Sequence, residues 1–173
     1  MAKKILKRSL ALGALMAFVI TGSAMAEEVL SSKNHSENNV LLSDSKSYAL
    51  DSTGAVTITS STENTIANNA TITVGDNQIL NLISTANGVD YNGVLNNNVT
   101  ISGNGNVTIH QKDEVGNAIC SMSGVVDKVN ISANKLNIIA DSGNAIYAEE
   151  GDKVDLIAIE IVLEAYGKGR GID

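Results

Sequence analysis

The chain has 173 residues, a length that suits one domain, with 19 acidic against 12 basic residues and a formal net charge of −7. It contains no proline, no tryptophan, one phenylalanine and one cysteine, which excludes a fold stapled by internal disulfides and leaves any core to Val, Ile, Leu and Ala. The acidic balance argues against nucleic acid and anionic lipid as partners, because such a surface repels phosphates.

The segment 1–26 reads as an export signal. Lys3, Lys4, Lys7 and Arg8 form a basic start, Leu10 to Ile20 an apolar helical run, and Gly22 a break. Ala24 and Ala26 then stand at the two positions a signal peptidase reads, so cleavage is expected after Ala26. The apolar run is about half of the roughly 20 residues a membrane span needs. No cysteine sits at the cleavage point, where Glu27 stands, which argues against a lipid anchor. Cleavage removes four basic residues and no acidic one, leaving eight against 19, a net −11. Phe18 leaves with the signal, so Tyr48, Tyr91, Tyr147 and Tyr166 are the aromatic content of the mature chain.

Residues 27–54 are polar and rich in Ser and Asn, interrupted by Val40-Leu41-Leu42, and read as a mobile N-terminus with a candidate cap from Val40 to Ile58. From residue 55 the pattern changes. Val56-Thr57-Ile58 alternates apolar and polar residues, as a strand with one buried face must. After it one unit recurs, with coils starting near 72, 99, 129 and 154. Val99-Thr100-Ile101 and Val107-Thr108-Ile109 lead to Gly116-Asn117-Ala118-Ile119. Val129-Asn130-Ile131 and Leu136-Asn137-Ile138 lead to Gly143-Asn144-Ala145-Ile146. Val154-Asp155-Leu156 and Ile161-Val162-Leu163 lead to Gly169-Arg170-Gly171-Ile172. In the coil at 72, Ile72 and Val74 align with Val99 and Ile101, and Leu80 and Leu82 with Val107 and Ile109, all four at one constant offset. Gly88-Val89 and Gly93-Val94 occupy the third segment of that coil.

One such unit cannot fold alone. About five inward aliphatic residues contribute on the order of 1.5 to 3 kcal/mol each, against roughly 1 to 2 kcal/mol of backbone entropy for every ordered residue. Stacking resolves this, since equivalent segments of successive coils pair as parallel strands about 4.8 Å apart and bury a continuous column. Three short strands per coil, separated by Gly and Asn corners such as Ser102 to Asn106 and Ser132 to Lys135, predict an all-β, three-sided solenoid of about four coils over residues 55–173, the last incomplete. The absence of proline agrees, since interior strands need every N–H. A leucine-rich repeat would carry a fixed Leu framework, a hexapeptide β-helix a six-residue beat, and a β-sandwich has no reason to repeat at this interval.

An exported, Asn-, Thr- and Gly-rich chain with coils such as Asn98-Val-Thr-Ile-Ser-Gly-Asn-Gly-Asn-Val-Thr-Ile109 resembles the passenger region of bacterial autotransporters and related β-helical adhesins. The likeness covers about residues 55–173. It implies a right-handed parallel β-helix displayed outside a Gram-negative cell, with a host, matrix or cell-surface ligand. The family also carries a C-terminal translocator barrel, and nothing after Val99 has the ten-residue alternation such a barrel needs. A truncated reading frame, periplasmic and without independent activity, is therefore an alternative expectation.

No catalytic, metal or cofactor set emerges, and the chain is expected to be no enzyme. Asp141-Ser142-Gly143 has the look of a protease serine neighbourhood, but His35 and His110, the two histidines, stand at no triad spacing. The rival is a polysaccharide lyase or hydrolase, which needs paired carboxylates beside aromatic platforms. Asp113, Glu114, Asp141, Glu149, Glu150 and Asp152 supply carboxylates without Trp or Phe nearby, so they read as a solvated acidic edge. The same carboxylates raise calcium as a ligand, but the Gly-Gly-x-Gly-x-Asp tandem of calcium β-rolls is absent. Asn-x-Ser/Thr at Asn34, Asn69, Asn98, Asn106 and Asn130 reads as outward strand and corner positions. Cys120 is expected to be a small stacked side chain at the place Tyr147 takes one coil later. An open last coil would expose an aliphatic edge around Ile159 to Leu163, a template for self-association.

Overall fold

The structure is a computed structural model that describes residues 27–30, 35–37, 42–43, 45–51, 54–62, 65–86, 93–112, 116–122, 127–167 and 169–172. The expected signal, residues 1–26, lies outside these, as do Val40, Tyr91, Gly88-Val89, Asp113 and Glu114. Among the described residues there is no helix.

The described residues form fourteen strands that wind as a parallel β-solenoid. The first side carries β1 (Glu28–Leu30), β3 (Ser47–Leu50), β6 (Thr71–Val74) and β9 (Thr100–Gly103). The second side carries β2 (His35–Glu37), β4 (Ala55–Ser60), β7 (Ile79–Ser84) and β10 (Asn106–Gln111). Two 13-residue strands, β12 (Lys128–Ala140) and β14 (Lys153–Ala165), run along both sides and join them into one sheet. The third side is β5 (Ala67–Asn68), β8 (Gly93–Asn96), β11 (Asn117–Ser121) and β13 (Ile146–Ala148). It is extended by the parallel bridges Leu42 to Ala67 and Ile146 to Ile172. The coils expected at 72, 99, 129 and 154 are all present, and each pairs in parallel with the next. The ladders also run N-terminally through β4 and β3 to β1, so the segment read as a candidate cap contributes ladder strands.

The core is a stack of equivalent aliphatic positions. Val56, Leu80, Val107 and Leu136 form one column and Ile58, Leu82, Ile109 and Ile138 the next, all at 0 or 1% exposure. On the first side Tyr48, Ile72, Ile101 and Ile131 align, so one aromatic joins a core the composition had assigned to aliphatic residues alone, its hydroxyl accepting from Ser43 N–H, and on the third side Ala67, Leu95, Ile119 and Ile146 align. The alternating burial of β10, β4 and β7 is the period-two pattern of a strand with one face inside.

One register differs from the sequence expectation. Leu80 pairs with Val107 as the constant offset predicts, but Ile72 pairs with Ile101 and not with Val99. The reason lies in the corner between the first two sides. Val74 pairs with Gly103 and Ile79 with Asn106, so positions 75–78 turn this corner in one coil and only 104–105 in the next. In β12 and β14 the corner is tight enough that a single continuous strand rounds it. Because the shift is by an even number of positions, every side chain keeps its own face and the slip leaves the core intact.

The Gly-Asn-Ala-Ile segment has a mechanical explanation. A Cβ on Gly143 would fall on the Gly116 carbonyl oxygen, and one on Gly169 on that of Gly143, both far inside van der Waals contact. The following Asn locks adjacent coils together: Asn144 N–H donates to Asn117 Oδ1 and Arg170 N–H to Asn144 Oδ1, both at 3.0 Å. The repeat thus writes both a close backbone approach and its hydrogen bond.

Candidate functional site

The chemistry-bearing side chains fall on two corners. At the end of the second side, His110 Nε2 donates to Asp141 Oδ1 at 2.8 Å. These two residues are far apart in sequence and come together because His110 pairs with Ile139, two positions before Asp141. One coil further on, Glu164 pairs with Ile139, and Tyr166 O–H donates to Glu164 Oε2 at 2.7 Å. That bond and the Glu164 charge push the Tyr166 phenol up from its ordinary value. Ser142, the serine beside Asp141, lies against Gly167 of the next coil, whose Cβ would meet its Oγ at 2.9 Å. The Asp141 carboxylate thus fixes the orientation of the His110 ring, and among the described residues no hydrogen bond joins Ser142 to His110.

The second corner lies between the third and first sides. Glu149, Glu150 and Asp152 follow β13 there, whereas Asp141 precedes it, so the third side separates the expected acidic set into two groups. Among the described residues, no group of three or more His, Cys, Asp or Glu is arranged around a common point fit for a metal ion. This corner is lined by a ladder of Asx residues. Asn98 Nδ2 donates to Asp127 Oδ1 at 2.7 Å and to Asn69 Oδ1 at 3.4 Å, while its Oδ1 accepts from Lys128 N–H at 3.1 Å. In the last coil Asp152 Oδ1 accepts from Asp127 N–H at 2.9 Å.

Asp127 did not stand out in the sequence reading. The signal for it is the repeated Asp127-Lys128-Val129-Asn130-Ile131 and Asp152-Lys153-Val154-Asp155-Leu156, which places an Asp just before both long strands. The Lys128 ammonium turns to Asp155 on the outer face at 3.2 Å rather than to Asp127.

Cys120 is fully buried and pairs with Tyr147, the neighbour the repeat assigns to it. Burial above all pushes its thiol up to about 11; an Asn117 hydrogen bond counteracts this, and the charges of Glu149 and Asp152 add to it. Such a thiol stays protonated and unreactive at neutral pH.

The remaining candidate surface lies along β14, the last strand among the described residues. In β12 the inward residues Val129, Ile131, Leu136 and Ile138 are buried because β14 covers them. Their partners Val154, Leu156, Ile161 and Leu163 are partly open, and Ile157 and Ile159 stand 70% and 89% exposed. Along the first side, Thr100, Lys128, Asn130 and Asp155 together with Val154, Leu156 and Ile157 line a shallow, mostly apolar groove of about 640 Å³. No family model, curated protein or solved structure matches the chain.

Proposed function

We propose that the chain is an exported, non-catalytic β-helical rod with a structural and adhesive role, wound right-handed and displayed on a Gram-negative cell in the manner its likeness to autotransporter passengers implies. One observation carries this reading: a dry aliphatic column stacked coil on coil, whose outward positions form polar ladders such as Thr57 to Asn81 and Thr108 to Asn137. The basic start, apolar run and Ala24-Met25-Ala26 support export. Of the carboxylates the polysaccharide-acting alternative calls on, Asp141 and Glu149, both among the described residues, occupy different corners, which favours the non-catalytic reading. Beads coated with the mature chain, 27–173, should retain host cells or matrix glycoproteins and should release no reducing or unsaturated ends from a polysaccharide panel. Glycan cleavage abolished by changing Asp141 or Glu149 would replace this reading with the enzymatic one.

The exposed Ile157 and Ile159 favour a second role, self-association through β14. A 13-residue strand with one edge unpaired among the described residues and exposed apolar side chains is a template for pairing with another chain. The chain should elute as an assembly on sizing, and Ile157→Lys with Ile159→Lys should convert it to a monomer. A wild-type chain that is monodisperse and monomeric at high concentration refutes the assembly role.

A further inference from the structure

Four successive coils present an Asx residue just before the first-side strand: Asn69, Asn98, Asp127 and Asp152. The first pair are amides, able to donate and accept up the stack. The last two are carboxylates, which only accept. Asp127 is 3% exposed, and its Oδ2 is buried without a hydrogen-bond partner. Asp152 Oδ2 is likewise buried and unpartnered, on the adjacent rung. Neutral oxygens of earlier coils, Asn68 Oδ1 and Asn96 Oδ1, share that condition, but among the described residues only here does it fall on ionisable groups. Ser121 belongs to the same corner: Glu149 N–H donates to its carbonyl, and Asp152 N–H to the Glu149 carbonyl, both at 3.1 Å. Its Oγ is fully buried and unpartnered too.

Two carboxylate oxygens removed from water, one rung apart and each without a hydrogen-bond donor, are costly to bury. A hard cation relieves it, because carboxylate and hydroxyl oxygens are its natural ligands. We propose that the corner formed by Asp127 and Asp152 binds a calcium ion that ties the last two coils together. Calcium suits the site better than magnesium, since it accepts irregular oxygen ligation from a backbone corner, whereas magnesium demands a near-ideal octahedron. The low charge count, two carboxylates with neutral oxygens and water completing the shell, makes this a weak site of the kind extracellular modules use, with half-saturation at about 0.1 to 1 mM calcium. The inference is independent of the adhesive reading, and either can fail alone.

The test is thermal unfolding of the mature chain, 27–173, titrated with calcium chloride, with magnesium chloride in parallel. Calcium should raise the midpoint saturably in that range while magnesium has a much smaller effect. Asp127→Asn with Asp152→Asn should restore an all-amide ladder, keep the β-sheet circular dichroism and weaken the calcium response about tenfold or more. Asp155→Asn, which alters an exposed carboxylate on the adjoining strand β14, should leave the response intact. A flat calcium titration overturns the proposal, as does an equal response in the double variant. If the double variant does not fold, calorimetry on the wild-type chain decides between one saturable calcium site per chain and none.

Discussion

Leu136 and Ile161 are register partners in one inward column, yet Leu136 is 0% exposed and Ile161 41%. Truncating each to Ala therefore measures what the covering coil contributes. Leu136→Ala removes three buried carbons between Val107 below and Ile161 above, and the hydrogen-bonded ladders on either side limit collapse into the space. Transfer at about 0.8 kcal/mol per methylene gives roughly 2.4 kcal/mol, and a cavity term of comparable kind raises the loss to about 3 to 4 kcal/mol. Ile161 keeps only about three-fifths of its surface from water and faces no coil on its outer side, so no closed cavity forms and about 1 to 1.5 kcal/mol is expected. Urea unfolding followed by far-ultraviolet circular dichroism is the assay, at concentrations where sizing gives a monomer. Midpoints and slopes should be compared together, because stacked repeats need not unfold in one step. Equal losses at the two positions would mean that β14 is covered, and a loss below about 1 kcal/mol at Leu136 would refute the close-packed column.

Gly143→Ala should be among the most damaging single changes, about 3 kcal/mol or more, because the new methyl group meets the fixed Gly116 carbonyl and must break the Asn144 to Asn117 bond to escape it. Gly171→Ala, with open space around it, should fall within about 0.5 kcal/mol; similar losses for both would sink the packing explanation. At Cys120 the folded chain holds the thiol neutral to about 11 against an ordinary 9.0. The unfolded chain therefore binds fewer protons between those values, and stability should fall as pH rises from 9 to 11, with no effect below 9. Subtracting a Cys120→Ala variant isolates this slope, and a difference that stays flat through pH 11 contradicts it.

The repeating V-x-I segments and the spacing of their glycines determined the architecture by themselves, since period-two alternation that returns once per coil buries its apolar face only by stacking. The equivalence of Cys120 with Tyr147 and of Ile119 with Ile146 was equally legible, because both pairs sit at the same place in a Gly-Asn-Ala-Ile segment whose glycine and asparagine fix its register. Only the tertiary structure decided the pairing of Ile72 with Ile101. Corner residues are free to loop outward without disturbing the alternation, so where a turn changes length the sequence cannot tell whether Ile72 faces Val99 or Ile101. The winding likewise decided that His110 meets Asp141, that Asp141 and Glu149 part company, and that Asp127 and Asp152 meet at one corner. Those encounters run across the coils rather than along the chain, and a strand's neighbour above is fixed by the solenoid as a whole.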